Sequence, residues 1–437
     1  MSIRSYPNMK PVKAPWLDSI PEHWEERRLR FLASVSNSNV DKKSYEDQEA
    51  VRLCNYTDVY YNEEITTPDK FMTATASHDE IKAFELRKGD VIITKDSEDP
   101  TDIGVPAYVA KDMPGVVCGY HLSILRTDNP TTAAYIHFSI MSHVNRAHFY
   151  VNTPGVTRFG LNQNTIKNTL VYLPPLSEQE AIVKWIKREI AVIDGLIEKK
   201  ARVIVLLNEK EKAKISHLVR VGLNPDSEMV DTGVDWRGKV PAHWTRGRMK
   251  NHFRSQKRQG YETLTVLSVY REYGVIEKSS RNDNINKTPE DLSKYQLVNA
   301  SDLVINKMKA WQGSMGIAGM QGITSPDYVV MEPIGDHDPR YMHHYLRARP
   351  MPWVYRLISN GIRTDQWRLE PEKFLMLPVF LPPLEEQRAI ADEIDRELER
   401  IRTLITQTER SIALLKEKRA ALITAAVTGE IDVRSLA

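Results

Sequence analysis

The chain has 437 residues, of which 41% are hydrophobic and 27% are charged, a composition typical of a globular protein with two or three domains. Lys and Arg number 60 against 58 Asp and Glu, so the net charge of +2 excludes a uniformly basic protein that coats nucleic acid, although local basic patches remain possible. The longest strongly apolar run has five residues, at 203–207, which excludes a membrane-spanning helix.

The first segment, residues 1–176, is predicted to be a globular head. Runs of β-branched and apolar residues, bounded by Gly, Pro, Asn and Asp, predict strands at 91–94 and 122–125. Residues 134–148 are predicted to be helical. Short strands mixed with short helices indicate an α+β domain with many loops.

Residues 177–222 are predicted to form one long helix. Its apolar side chains recur at steps of four and three residues, with one position skipped at Lys200, as in the seam of a coiled coil. These seam residues are Ile186, Ile190, Ile193, Ile197, Ile204 and Leu207. Pro174 and Pro175 prevent a helix from continuing in from upstream, and Gly222 suits a C-terminal cap. A helix of about 45 residues is about 65 Å long and needs a partner to cover its seam.

The second segment, residues 223–384, is predicted to be a second α+β head. Strands are predicted at 264–267 and 328–331, and a helix at 340–346. A basic stretch without any acidic residue extends from position 246 to position 258. Its candidate binding residues are Arg246, Arg248, Lys250 and Arg254.

The last segment, residues 385–437, is predicted to contain a second long helix followed by a tail. Its apolar seam matches that of the first helix at an offset of 208 residues throughout. The seam residues are Ile394, Leu398, Ile401, Ile405, Ile412 and Leu415. Gly429 suits the C-terminal cap. The partner expected for each long helix is the other one.

An internal repeat relates the two halves of the chain. Leu173-Pro-Pro-Leu-Ser-Glu-Gln-Glu-Ala-Ile182 recurs as Leu381-Pro-Pro-Leu-Glu-Glu-Gln-Arg-Ala-Ile390, and Ile20-Pro-Glu-His-Trp24 recurs as Val240-Pro-Ala-His-Trp244. Collinear similarity over this span indicates a tandem duplication. Since one Trp-containing segment opens the chain and the other follows the first helix, the duplication predicts pseudo-twofold symmetry. The residues after Gly429 should therefore lie beside the N-terminus.

Polar loops occupy the same places in the two copies but differ in their side chains. Gly89-Asp-Val-Ile-Ile93 recurs as Ser301-Asp-Leu-Val-Ile305, and the loops that follow these two segments contain Lys95 and Asp96 in one copy and Lys307, Lys309, Trp311 and Gln312 in the other. After a later glycine lie Arg158, Asn162 and Gln163 in one copy and Arg363, Asp365, Gln366 and Arg368 in the other. Such side chains contact base edges and phosphates in DNA complexes, although any one of these loops could simply be solvated.

No catalytic constellation is apparent in the sequence. There is no G-x-x-x-x-G-K-S/T loop, and the glycines at 313, 316 and 319 lack the lysine of such a loop. Cys54 and Cys118 form no C-x-x-C pair, so a disulfide framework and a zinc ribbon are both excluded. We expect no metal or cofactor, no secretory signal, and a reduced cytoplasmic setting.

Two heads alternating with two long helices, each helix opened by Leu-Pro-Pro-Leu-x-Glu-Gln-x-x-Ile, resemble the specificity subunit of type I restriction–modification enzymes. The resemblance covers essentially the whole chain and includes Thr428-Gly-Glu-Ile-Asp432 near its end. It implies two target recognition domains separated by two antiparallel coiled-coil helices. Each domain would read one half of a bipartite double-stranded DNA site, and the helices would set the spacer between the halves.

The resemblance also implies partners and a non-enzymatic role. Two modification subunits, which methylate adenine N6, would bind this chain, and ATP-dependent restriction subunits would join them. The chain itself would not be catalytic, in line with the missing motifs. Two alternatives stay open: a coiled-coil structural or interaction protein without sequence-specific DNA readout, and a self-contained nuclease or methyltransferase.

Overall fold

The structure, a computed structural model, describes residues 5–67, 70–281, 288–361 and 367–434. The chain divides into two compact units, one made of residues 1–200 with 410–437 and the other of residues 201–409. Each unit contains one globular head and one part of each of the two long helices.

The first long helix is Leu176–Val221, with 46 residues, and the second is Leu384–Thr428, with 45 residues. All twelve seam positions are buried or half-buried. The fully buried ones lie nearest each helix's N-terminal end, at Ile186, Ile190, Ile193, Ile394, Leu398 and Ile401. Both helices are followed by a glycine with a φ of 78°, Gly222 and Gly429, which is the left-handed conformation that a helix C-cap favours.

A mixed five-stranded sheet forms the centre of the first head. Its strands lie in the order Ser34–Asn37, Leu122–Arg126, Val91–Thr94, Pro106–Val109 and Glu64–Ile65. The first four are antiparallel to their neighbours, and the last pairs in parallel. Val91–Thr94 is buried along its whole length, since it lies in the middle of the sheet and helices pack against the head's core.

Smaller sheets and short helices complete the first head. A three-stranded sheet joins Val116–Cys118, Glu49–Cys54 and Met72–Ala76. Two-stranded pairs join Met9–Ala14 with Leu17–Pro21, Glu25–Arg28 with Leu170–Leu173, and Asp96–Ser97 with Phe159–Gly160. The helices are Tyr56–Tyr60, His78–Phe84, Pro130–Met141, His143–Val151 and Gln163–Asn168.

A four-stranded antiparallel sheet forms the centre of the second head. Its strands lie in the order Phe253–Gln256, Tyr328–Pro333, Leu303–Asn306 and Met315–Ile317. This order and these directions match the first four strands of the first head's sheet. The duplication seen in the sequence is therefore present in the topology of the two heads.

Short pairs and helices also complete the second head. The paired strands are Met229–Asp231 with Lys239–Pro241, Thr245–Arg248 with Pro378–Leu381, Leu267–Tyr270 with Gly274–Glu277, Gln296–Val298 with Gly322–Thr324, and Ser359–Asn360 with Arg368–Leu369. The helices are Pro339–Arg347, Met351–Leu357 and Pro371–Leu375.

Two of the predicted elements differ from the structure. Residues 264–267 do not form a strand as a whole: the strand is Leu267–Tyr270, which pairs with Gly274–Glu277, and Val266 before it makes an isolated bridge to Ile323. Residues 134–148 form two helices that meet at Ser142. The Ser142 side chain caps the second of these helices by accepting from the Asn145 amide, and this cap ends the first helix.

The repeated Leu-Pro-Pro-Leu-x-Glu-Gln motif joins each head to its helix. The glutamine side chain bonds the carbonyl of the first proline, at 2.8 Å for Gln179 to Pro174 and at 2.9 Å for Gln387 to Pro382. Both glutamines are buried. They satisfy a carbonyl that has no helical partner, so the chain turns from strand to helix at the same place in both copies.

The glutamate of the same motif binds the repeated Pro-x-His-Trp segment. Glu178 accepts from Trp24 Nε1 at 3.0 Å and lies 2.8 Å from His23 Nε2. In the other unit, Glu386 accepts from Trp244 Nε1 at 3.3 Å and lies 2.7 Å from His243 Nε2. The two most conspicuous repeated motifs of the sequence thus contact each other in each unit.

In the first unit, the end of the second long helix lies beside the N-terminal segment, as the duplication predicted. A side chain at Gly429 would come within 2.2 Å of Pro21, and the Arg434 guanidinium lies 4.8 Å from the ring of Tyr6. The Tyr6 hydroxyl also donates to Glu178, near the start of the first long helix. Since the start of one helix and the end of the other meet at Tyr6, the two helices are antiparallel in this unit.

The second unit also contains antiparallel helix segments. The Lys214 ammonium lies 3.7 Å from the Glu393 carboxylate. About two helical turns farther along the first helix, Gly222 lies against the carboxylate of Glu386. Leu218 and Val219 share a hydrophobic core with Ile394 and Leu398. Rising residue numbers in one helix therefore correspond to falling numbers in the other.

Candidate nucleic-acid interface

The structure brings the two predicted loops of each head together. In the first head, the Leu161 amide donates to the Lys95 carbonyl at 2.7 Å. In the second head, the Leu369 amide donates to the Lys307 carbonyl at 2.9 Å. These residues occupy equivalent positions of the repeat. In the first head, we call the loop at Lys95 and the loop at Leu161 the first loop pair. In the second head, we call the loop at Lys307 and the loop at Leu369 the second loop pair.

In the first loop pair, an acidic and a basic side chain flank a short β-ladder. Asp96 is half-buried and its carboxylate lies 2.7 Å from His121 Nδ1, which fixes its direction. Lys95 is half-buried. Arg158 is exposed in a tight turn. A Cβ atom built on Gly155 would lie 2.3 Å from the carbonyl oxygen of Arg158. The turn therefore requires glycine and presents Arg158 to solvent.

Asn162 and Gln163 hold the loop in place. The Asn162 side chain caps the helix Gln163–Asn168 by accepting from the Thr165 amide at 2.8 Å. The Gln163 side chain donates to the Val35 carbonyl at 2.6 Å and accepts from Lys167. Both amides line a cavity of about 450 Å³ together with Asn152 and Asn164. The Asn162 oxygen and both ends of the Gln163 amide are therefore engaged within the head, so the structure gives these two predicted binding residues a role in holding the loop.

In the second loop pair, cations and tryptophans replace the acidic residue. Lys309 and Arg368 are exposed, whereas Lys307 and Gln312 are half-buried. The half-buried Trp311 donates from Nε1 to the Met308 carbonyl at 3.1 Å, so its indole is fixed against its own turn. The equivalent loops of the two heads thus present different chemistry from the same backbone arrangement.

The basic stretch of the second head lies elsewhere and is partly neutralised. Arg254 donates from Nε to Glu332 at 2.8 Å, and Arg258 lies 3.0 Å from the same carboxylate. The Arg254 hydrogen bond and the two guanidinium charges lower the pKa of Glu332. Within the described part of the chain, the ion pairs of these two arginines go to Glu332 and Asp302 and not to the second loop pair.

Three other basic residues of that stretch are exposed. Arg246 stands over the Phe380 ring at 5.7 Å, and Arg248 lies 3.6 Å from Met376 Sδ. Lys250 lies in the turn that follows. Within the described residues, none of the three has a carboxylate within 4.0 Å, so their charges stay available to an anionic partner. Arg363, Asp365 and Gln366, also predicted to bind, lie outside the described residues.

Sequence reasoning did not identify several aromatic residues beside the loops. In the second head, the Arg356 guanidinium lies 5.7 Å from the Trp353 ring and 5.1 Å from the Trp367 ring. In the first head, Tyr56 and Tyr60 stack at 5.5 Å. The sequence offered two signals for these residues. Trp353 and Trp367 lie on the two sides of Gly361, and Tyr56 and Tyr60 are four residues apart.

A carboxylate contacts the tyrosine pair. The Tyr60 hydroxyl donates to Asp102, and this hydrogen bond raises the pKa of Tyr60 to about 12. Asp102 lies six residues after Asp96, in a short turn that continues from the first loop pair. The hydroxyl therefore remains a hydrogen-bond donor across the physiological pH range.

The described residues contain no group of three or more His, Cys, Asp and Glu side chains placed to hold a metal ion. In the same part of the chain, no helix combines the length and the apolar character that crossing a membrane requires. Cys54 and Cys118 are buried, free thiols.

Residues 21–204 match a family model described as the type I restriction modification DNA specificity domain. The chain is 22% identical over 433 residues to a protein of Methanocaldococcus jannaschii that is named as the type I restriction enzyme MjaX specificity subunit. The aligned region covers 96% of this chain and 96% of that protein. It is 20% identical over 306 residues to the EcoBI specificity subunit of Escherichia coli, covering 65% of this chain and 63% of the relative.

Two solved structures share the fold. One, from a study of complex assembly and conformational transition in a type I restriction–modification system, matches with a TM-score of 0.65 and 16% identity, covering 94% of this chain and 99% of the other. The HsdS subunit from Thermoanaerobacter tengcongensis matches with a TM-score of 0.53 and 16% identity, covering 96% and 100%. Residues 21–204 thus match the specificity domain of type I restriction–modification systems, and the chain over nearly its whole length is similar to specificity subunits of such systems.

Proposed function

We propose that each head of this chain reads one half of a bipartite, asymmetric site in double-stranded DNA. The two long helices set the number of base pairs between the halves. Two modification subunits that methylate adenine N6 dock on the chain, and restriction subunits join them, in the cytoplasm. A structure of complex assembly in such a system, which this chain resembles in fold, supports the docking.

The observation that carries this proposal is the loop arrangement repeated in both heads. One backbone hydrogen bond, from Leu161 to Lys95 and from Leu369 to Lys307, holds the equivalent loops together. The side chains displayed from that common scaffold differ between the heads. A common scaffold with different side chains is what two readers of different base sequences require.

The chemistry of the side chains suits duplex DNA. In the major groove, arginine donates to guanine O6 and N7, and a carboxylate accepts from cytosine N4. Arg158 and Arg368 are exposed donors, and Asp96 is an acceptor whose direction is set by His121. Lys309, exposed at the tip of its turn, suits a phosphate contact that positions the head without reading sequence.

The helices suit the role of a spacer. A 45-residue helix is about 65 Å long and, paired along a buried seam, resists bending better than a loop of equal reach. In each unit the head's core includes residues of the helices, such as Ile186 in the first unit and Ile394 in the second. Each head is therefore attached rigidly to helix rather than through a flexible linker.

Methylation of a random double-stranded DNA library tests the proposal. The chain is purified with its modification subunits, incubated with the library and S-adenosylmethionine, and the modified adenines are sequenced. The expected result is two short specified sequences separated by an unspecified spacer of constant length. Methylation without any sequence preference would overturn the proposal and would leave a coiled-coil structural protein as the better description.

A further inference from the structure

A short helix that precedes the glycine-led loop ends in the same way in both heads. In the first head, His143–Val151 is anchored by the buried Phe149, whose carbonyl accepts from Thr153 Oγ1 at 2.6 Å. In the second head, Met351–Leu357 is anchored by the buried Tyr355, whose carbonyl accepts from Ser359 Oγ at 2.7 Å. This shared hydrogen bond aligns the two helices residue by residue.

After the anchor, each helix exposes a large side chain with an apolar surface. The two residues that follow Phe149 are Tyr150, 50% exposed, and Val151, 58% exposed. The residues that follow Tyr355 are Arg356 and Leu357, and Leu357 is 77% exposed. Such exposure is unfavourable for an apolar group in water, and its occurrence at one position of both copies points to a surface that another molecule covers.

In the second head the exposed apolar surface is larger and is held by stacking. Trp353, one turn before Leu357, is 67% exposed. Arg356 contacts the rings of Trp353 and Trp367, and Trp367 meets Trp311 edge to face at 5.9 Å. The stack links the helix to the turn of the second loop pair, and the loop pair thereby fixes the orientation of the helix end. We call the exposed apolar surface of Trp353 and Leu357 at this helix end the corner.

Cations surround this corner. Arg356 lies within it, and the exposed Lys309 and Arg368 belong to the adjoining second loop pair. Within the described residues, Lys309 and Arg368 have no carboxylate within 4.0 Å. Apolar side chains next to such cations match a duplex, where apolar faces of bases lie next to phosphates. The exposed side chains of Lys309 and Arg368 are both positive, which favours a polyanionic partner, and DNA is the polyanion in the function proposed above.

We propose that Leu357, supported by Trp353, inserts against the stacked base pairs of the site, and that Val151 does so in the first head. This inference rests on the function proposed above and assigns to the corner a role distinct from base-edge readout. Proteins that insert apolar side chains at a base step partly unstack it and bend the duplex, which lets more of the protein surface contact the DNA.

The test uses the complex with its modification subunits and a duplex carrying its methylation site, with 2-aminopurine in place of single adenines outside the specified bases. Unstacking raises 2-aminopurine fluorescence. The unaltered complex should show this rise at one or two steps, and the Leu357→Ala and Trp353→Ala variants should lose it and bind the site about tenfold more weakly. Trp353→Phe should retain most of the affinity, because a phenyl ring can also support Leu357.

Controls separate the possible failures. Leu414→Ala, at a leucine 56% exposed on the second long helix, should leave both the fluorescence rise and the affinity unchanged. If the unaltered complex shows no preference for its site, the proposed function fails. If it binds the site specifically but the Leu357→Ala variant keeps the full fluorescence rise and affinity, only the insertion is wrong. Loss of subunit assembly in that variant, with DNA binding intact, would likewise overturn it in favour of a protein partner.

Discussion

Glu178 and Glu386 occupy equivalent positions of the repeat and make the same two contacts, but they differ in burial. Each accepts a hydrogen bond from a tryptophan indole and pairs with a histidine. The Glu178 side chain is 6% exposed and that of Glu386 is 25% exposed. Burial and the hydrogen bond to Glu178 raise the pKa of Tyr6. Within the described residues, the side-chain hydrogen bonds of Glu386 go to His243 and Trp244, and no tyrosine joins them.

Removing Glu178 should therefore destabilise the first unit more than removing Glu386 destabilises the second. Glu178→Ala leaves buried donors of Tyr6 and Trp24 without an acceptor and should lower the free energy of unfolding by about 2 kcal/mol. Glu386→Ala, at the more exposed site, should cost less. Denaturant unfolding of the two variants measures both values. Equal losses, or no loss at Glu178, would show that burial does not govern this contact.

Lys309→Ala tests the assignment of a phosphate contact. Because a phosphate contact carries no base information, the variant should bind specific and non-specific DNA more weakly by a similar factor. The slope of log affinity against log salt should fall by about one. A salt titration of the complex measures both quantities, with Lys239→Ala, at an exposed lysine of a different hairpin, as the control. A loss confined to one DNA sequence would instead make Lys309 a base reader.

At the residue scale, the sequence identified the polar loops that recur in both heads, but it did not predict that the two loops of each head meet or which partner each side chain contacts. Lys95 and Lys307 were identifiable because the repeat aligns them. The contact between Arg254 and Glu332 was not identifiable in the sequence, because 78 residues separate them and only the pairing of two strands brings them together. Trp353 was overlooked for a similar reason: its exposure follows from the anchoring of Tyr355, which composition and spacing do not reveal.

Among the elements, the long helices were the most predictable. A seam that repeats over six positions is a strong periodic signal, and the flanking prolines and glycines mark where each helix begins and ends. Short strands were less predictable, since a strand of four residues depends on its neighbours. The strand Leu267–Tyr270 is displaced from 264–267 for this reason: its bounds follow its pairing with Gly274–Glu277.

Lengthening both helices together should lengthen the spacer. Glu209 and Glu399 lie opposite each other by the register that Lys214–Glu393 and Gly222–Glu386 define in the second unit. Seven residues inserted after each keep the seam in phase and add about 10 Å, equivalent to about three base pairs. Sequencing of methylated adenines should then show both halves of the site unchanged and the spacer longer. An unchanged spacer would mean that the helices do not set it.

For the whole molecule, the duplication explains why one chain can recognise two sequences. Each unit has its own core, its own strand pair closing the head onto the helix, and its own loop pair. Since the contacts that hold the second head in shape lie within its own unit, replacing it should not disturb the loops of the first. The fold and the repeat were visible in the sequence, whereas the DNA sequence read by each head depends on side-chain geometry and DNA shape.

Exchange of one head is the most direct measurement. Residues 250–380 are replaced by the equivalent head of a relative with a different site, the chain is expressed with its modification subunits, and methylated adenines in the host genome are sequenced. One half of the site should change to the donor's sequence, while the other half and the spacer stay as they were. Simultaneous change of both halves, or no change in either, would contradict independent reading by two heads.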